Sequence, residues 1–301
     1  MAVDNFIPEI WSKLILASLQ KQLIYGSPAV VNDDYDGEIA GPGDAVHITQ
    51  FGDPQVSDYA IGQGIEYDPL IDAGLTLYID QSKYFAFSID DVDKRQAAGE
   101  MQPYLEGRAA YRMADAADQF IASHYVYIDE ANVLGSTSDP VTPQPYGGST
   151  THPADAYVMV TEPLKVIMDQ NNVPEDGRYL VAPPWFVSLL SQVEAFVKMT
   201  DSTGNINPVM AKGFVGSISG FNVFKSNNNP QPVAGPAGTA VNAIQAGHPM
   251  AITYGEQIAE TEALRLQDTI GDGIRGLHCY GAEMIRPDCA AVAYTLRPEH
   301  I

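Results

Sequence analysis

Between Lys21 and Lys83 the chain carries no lysine or arginine, yet eleven carboxylates fall there: Asp33, Asp34, Asp36, Glu38, Asp44, Asp53, Asp58, Glu66, Asp68, Asp72 and Asp80. A segment of one sign repels itself, so this stretch is not expected to fold alone. Two outcomes stay open: a solvated acidic surface, or a segment that docks on a basic surface such as that of another copy. A second stretch, between Arg112 and Lys165, is also without a base. The bases gather instead around Lys94, Arg95, Arg108 and Arg112.

Over the whole chain 38 Asp and Glu face 16 Lys and Arg, a formal charge of −22. Proteins that grip nucleic acid through its phosphates need a basic stripe, and this balance excludes them. With 45% hydrophobic and only 18% charged residues, a disordered acidic tail is excluded as well. The 301 residues suit one large or two modest domains. No apolar run approaches the roughly 18 residues of a membrane-spanning helix, and the N-terminus, with Asp4, lacks a basic targeting region. Cys279 and Cys289 alone make no disulfide framework, so buried thiols in a soluble, intracellularly made protein are expected.

Along the chain, residues 8–24 read as a helix: Pro8 and Glu9 suit its first turn, and Trp11, Ile15, Leu19 and Leu23 recur four apart. After an irregular Asp- and Gly-rich stretch comes a strand at Ala45–Phe51, then turns, then a returning arm over 75–89. Its odd positions Leu75, Leu77, Ile79, Phe85, Phe87 and Ile89 share one face. A two-stranded ribbon is marginal in water, so this excursion needs a surface, and its own chain has little sequence left nearby to supply one.

Residues 91–128 carry the longest helical signal, with Pro103 marking the true start. A loop spans 135–153, a helix 156–171, and a short strand Arg178–Ala182; Pro183-Pro184 opens a further helix through about Lys198. Gly213–Phe224 leads into a small-residue stretch ending at Gly247. From Met250 the pattern is β, with Leu264–Gln267 and Ile274–Ile285 flanking a Gly271-Asp272-Gly273 turn.

Catalytic and cofactor motifs are missing. No Gly-Lys-Ser/Thr loop occurs, no Gly-x-Ser-x-Gly elbow, and no histidine pair at ligand spacing. His278-Cys279 on a strand would point to opposite faces, which leaves a buried cysteine and an edge histidine rather than a dyad. Asn32-Asp33-Asp34-Tyr35-Asp36-Gly37 matches the first half of a calcium loop, with Asp34 and Asp36 as ligands. The twelfth position is Gly43, where a bidentate Glu is needed, so an acidic loop is the better reading. No catalytic residue, cofactor or metal is therefore expected. An acidic metal-dependent hydrolase using this loop is the alternative from another class. A carbohydrate- or surface-binding β protein is a third, and it would need Trp11 and the tyrosines exposed.

Extensions without chemistry point to an assembly protein. The start Asn5-Phe6-Ile7-Pro8-Glu9-Ile10-Trp11-Ser12 with Leu23–Gly26 resembles tailed-bacteriophage major capsid proteins. So does the run from Gly271 to Gly281 (Gly-Asp-Gly-Ile-Arg-Gly-Leu-His-Cys-Tyr-Gly), followed by Arg286-Pro287. The order of elements is similar to the Hong Kong 97-type (Johnson) fold, of α+β class. That resemblance implies an N-terminal arm at 1–40 and an extended E-loop at 41–89. It implies a P-domain at 90–155 with 250–301, its spine helix at about 103–128, and an A-domain at 156–249.

The same resemblance implies self-assembly into pentamers and hexamers of an icosahedral shell around double-stranded DNA, enclosed without sequence-specific binding. A separate scaffolding protein is implied because the chain has no room for a fused one. A portal protein and, optionally, a decoration protein are further partners, and no membrane is. The location is the virion capsid after synthesis in the host bacterial cytoplasm. Candidate contacts between subunits are Trp11, Leu75, Leu77, Phe85, Phe87, Arg95, Arg108 and Arg112, the arginines meeting acids of a neighbour's E-loop or arm. Encapsulin nanocompartments share the fold and are the closest alternative.

Overall fold

The computed structural model describes residues 24–34, 45–51, 58, 72–90, 101–142, 153–191, 214–232, 240–265 and 271–298. The expected N-terminal helix, the ribbon tip, the short turn of helix at 91–99 and the end of the Pro184 helix lie outside them.

A 22-residue helix, α1 (Met101–Ala122), runs on into a 3-10 turn at Ser123–Tyr127. Met113, Ala114, Ala117 and Ile121 bury one face at helical spacing. The small alanines let it lie close to the strands beneath. Its C-terminal carbonyl at Ala122 is capped by the buried amide of Gln245, at 2.6 Å. His124 ties the following turn to the sheet, its Nε2 lying 3.0 Å from the carbonyl of Ala282.

The strands form three sheets. Strands β1 (Ala45–Phe51) and β2 (Asp72–Tyr78) form an antiparallel ribbon. Strand β3 (Gln81–Asp90) belongs instead to a three-stranded sheet with β10 (Gly271–Met284) at its centre and β9 (Ile252–Arg265) at its other edge. The expected single arm over 75–89 is therefore two strands in different sheets, broken at Ile79-Asp80. Of the described odd positions, Leu77 and Ile79 are buried and Leu75, Phe85 and Phe87 half-buried, against different partners. Leu77 and Ile79 join Val46, Ile48 and Cys279 in a small satellite core, whereas Phe85 packs against the main core. The root of the ribbon thus rests on its own chain, contrary to the expectation that it lacked a support.

The six-stranded sheet has the order β4 (Val133–Leu134), β11 (Ala290–Leu296), β8 (Val241–Gly247), β5 (Tyr179–Ala182), β7 (Phe221–Lys225), β6 (Phe214–Ile218). It draws strands from both sides of residue 250. Strand β8 was not anticipated. Its run Val-Asn-Ala-Ile-Gln-Ala-Gly is buried throughout between two neighbours, so it shows no alternation, and its small residues look like loop. Strands β6 and β7 meet at Ser219-Gly220, both with positive φ (48° and 91°), the geometry of a two-residue hairpin turn.

The helix expected at 156–171 is present with a flaw in its middle. It runs as α2 (Pro153–Met159), a π-helical turn at Val160–Leu164, and α3 (Lys165–Gln170). Pro163 sits inside the π turn; it has no N–H to donate and would crowd the carbonyl one turn back, and the widened turn makes room. Helix α4 (Pro184–Leu190) follows β5 as expected.

Gly271-Asp272-Gly273 is not a turn. These residues open β10, opposite Asp90 to Ser88 on one side, with Asp272 and Gly273 opposite Arg265 and Leu264 on the other. Ladder bonds from two partner strands outweigh the poor strand propensity of glycine. His278 also departs from expectation: it lies in the central strand, buried, with its Nε2 3.2 Å from Glu256. Cys279 points to the opposite face, into the satellite core, as strand geometry requires.

Two loops are held by titratable side chains. Buried Arg178 donates to the carbonyls of Pro174 and Val173 and to Asp169. At His248, the Met250 N–H donates to Nδ1, so the ring proton sits on Nε2 and donates to the Asp176 carbonyl. Burial pushes the His248 pKa below its ordinary value. A depressed histidine contributes stability that is complete above its unfolded pKa of about 6.5 and is lost as pH falls below it. The urea midpoint is expected to drop between pH 7 and pH 5, and His248→Ala should remove that part of the slope while lowering the neutral-pH midpoint.

Candidate assembly surfaces

The outward face of α1 carries Arg108, Tyr111 and Arg112 at spacings of three and four, all exposed. Its inward face carries Asp118, which is 3% exposed. One carboxylate oxygen accepts the N–H groups of Ile24 and Tyr25 at 2.8 and 2.7 Å; the other accepts the Asn228 amide at 2.9 Å. Burial pushes the Asp118 carboxyl up, and these three hydrogen bonds work against that shift. One side chain so fastens the root of the N-terminal segment to the spine helix and to the loop after β7. Tyr25, Val30 and Val31 are buried in the main core, so the expected arm at 1–40 has a root that belongs to the body.

The second surface is the outer face of the three-stranded sheet. Tyr84, Ala86 and Ser88 stand exposed opposite Leu277, Arg275 and Gly273. Arg275 is ion-paired with Glu262 across β9, its Nε 2.8 Å away. On the inner face Phe85 lies over Gly276, where an added Cβ would overlap the ring, and it stacks with Phe87 at 6.1 Å between centroids. Further along the same strand, Gly281 lets the Tyr78 carbonyl pass where any Cβ would collide with it. Two glycines of the Gly271–Gly281 run are there because another segment crosses at contact distance.

Of the residues expected between subunits, Arg108 and Arg112 are exposed, Leu75 and Phe87 are half-buried, and Trp11 and Arg95 lie outside the described residues. Leu77 is a correction: at 0% exposure it is core of its own subunit. Phe85 is half-buried, with part of its ring against the main core. Tyr84, at 78% exposure, and Tyr111 are the aromatics that sequence reasoning passed over. The signal was available, since Tyr84 alternates with the inward Phe85 and Phe87.

Asp34 is exposed, and its N–H donates to Asn32 Oδ1 in an Asx turn; Asp36 lies outside the described residues. Among the described residues no cluster of His, Cys, Asp or Glu could hold a metal ion, and no helix is long and apolar enough to cross a membrane.

A long spine helix on a three-stranded sheet, a ribbon leaning out beside it and a separate six-stranded sheet define a shell-forming coat subunit of the Hong Kong 97 type. The chain belongs to the phage capsid protein family, whose model matches residues 74–293. A solved structure from Mycobacterium phage Che8 is 31% identical, covers 97% of this chain and 98% of that one, and superposes with a TM-score of 0.63. The capsid structure of cyanophage P-SCSP1u is 16% identical over 92% of this chain and 89% of its own, with a TM-score of 0.65. The SrpI encapsulin of Synechococcus elongatus shares the fold at 9% identity, covering 86% and 84%, with a TM-score of 0.53. No curated protein matches the chain. The chain is thus a structural component of a virion capsid and associates with itself.

Proposed function

We propose that this chain is the non-catalytic major capsid subunit of a double-stranded DNA phage, forming the pentamers and hexamers of an icosahedral shell around the genome. The 31% identity to the Che8 structure along 97% of the chain carries the reading, because similarity of that extent spans the body and its extensions alike. It also favours a phage shell over an encapsulin, with which the chain shares the fold at 9% identity. Residues 1–40, 41–89, 90–155 with 250–301, and 156–249 are read as N-arm, E-loop, P-domain and A-domain. Scaffolding and portal proteins, and optionally a decoration protein, are the other partners, and assembly follows synthesis in the host cytoplasm.

Contact between copies must overcome a charge of −22 on each. The exposed Arg108–Tyr111–Arg112 stripe is a place for a neighbour's base-free acidic segment, with Arg95 and Trp11 as further contacts. The test is negative-stain microscopy of the chain co-expressed with its scaffold. Shells are expected from the wild type, and only small monodisperse particles would overturn the reading. Arg108→Glu with Arg112→Glu is expected to raise the assembly threshold, more so at low salt, since exposed charges are screened within about 10 Å at 0.1 M.

A further inference from the structure

A cavity of about 320 Å³ opens at one end of the six-stranded sheet. Strands β5 and β7 are parallel, and both β5 and β11 run antiparallel to β8, so β5, β7 and β11 point the same way. The cavity lies outside their carboxyl ends, where Pro183, Ser226 and Arg297 follow the three strands, and Asn242 enters from β8. Three polar lining residues, Ser226, Asn229 and Asn242, are more than nine-tenths buried.

Their orientations are fixed from behind. Asn229 Nδ2 donates to the Val181 carbonyl, Asn242 Nδ2 to the Ala240 carbonyl, and the Ser226 N–H to the Ala182 carbonyl. Two lining residues are left with an unsatisfied buried atom: the Trp185 indole N–H and the Asn229 Oδ1. One is a donor and the other an acceptor, the pair that a main-chain amide satisfies with its C=O and N–H. Unpaired buried groups of this kind are costly to the lone subunit and reward whatever pairs with them. Among the described lining residues none is acidic, in a chain whose copies otherwise repel one another.

We infer that this cleft receives an extended main-chain segment of a second copy of this chain, with Trp185 donating to a carbonyl and Asn229 accepting an N–H. The inference rests on the capsid reading above for its occupant, because self-association is what the family does. A neighbour as acidic as this one meets no carboxylate among the described residues of the cleft wall.

The experiment compares the assembly threshold, read by light scattering with scaffold present, for the wild type, Trp185→Phe and Asn227→Asp. Trp185→Phe keeps an aromatic ring but removes the indole N–H together with part of a side chain that packs against the main core. The urea midpoint of its unassembled subunit records that packing loss, and its assembly threshold should rise about five-fold beyond it, as the loss of one hydrogen bond predicts. Asn227→Asp places a negative charge on an exposed lining residue and should raise the threshold as well. Trp185 is one of two tryptophans, so the wild-type signal less that of Trp185→Phe isolates it, and its quenching by acrylamide should fall on assembly. Absence of wild-type shells overturns the capsid reading and this one together. Wild-type shells with unchanged variant thresholds and unchanged quenching overturn this one alone, and mark the cleft as holding only water.

Discussion

Asp118→Ala is expected to destabilise the subunit by about 3–5 kcal/mol, the sum of two orphaned backbone donors and a lost amide partner at roughly 1–3 kcal/mol each, less what water recovers at the exposed side. The loss is local in origin. Without the carboxylate, the N–H groups of Ile24 and Tyr25 have no acceptor, and Tyr25 is a fully buried side chain that must leave or stay unsatisfied. Asn228 keeps its bond to Asp115, so the loop after β7 loosens without detaching. Asp118→Asn keeps an acceptor for both N–H groups but turns an amide toward the Asn228 amide, and should cost about 1–2 kcal/mol. Urea unfolding of the unassembled full-length chain reads both values. Equal losses in the two variants would show that the side chain acts through its charge rather than through its accepting oxygen.

Gly281→Ala is expected to cost at least about 3 kcal/mol, beyond ordinary overpacking of 1–3 kcal/mol, because the colliding atom is backbone. The added Cβ meets the Tyr78 carbonyl and lies 3.1 Å from Ile79 Cα, and neither can swing aside as a side chain would. The corner between β2 and β3 must lift from β10, which opens the satellite core of Val46, Ile48, Leu77, Ile79 and Cys279. That core is what anchors the ribbon root. The ribbon would leave the body at a different angle, so shells should be absent or misshapen even where the subunit remains folded. Gly276→Ala is the control: its Cβ meets the Phe85 ring, a side chain that can rotate, and the defect should be smaller. Unfolding midpoints together with microscopy of the co-expressed product separate the two.

Much of the molecule was legible in order of elements. The spine helix showed through its three- and four-residue spacing, α4 through the Pro183-Pro184 opening, and the closing strand β11 through alternation. The misreadings share a cause. Strand β8 is buried throughout and carries no alternation, Gly271–Gly273 looked like a turn, and the arm over 75–89 looked continuous. In each case the deciding partner comes from far along the chain, and neighbouring residues carry no trace of it. The candidate surfaces divide similarly. Arg108 and Arg112 were readable as exposed helix positions, whereas the cleft beside Trp185 joins residues 183 to 297 and no local motif announces it.

The base-free stretch between Lys21 and Lys83 sets by itself that this chain carries a self-repelling segment, since net charge and its distribution depend on sequence alone. What tertiary structure decided is how much of that stretch belongs to the body. Tyr25, Val30 and Val31 at one end and Leu77 and Ile79 at the other are core, fixed by the Asp118 carboxylate and by the missing Cβ of Gly281. Those anchors lie on α1 and β10, and only folding brings them within contact distance.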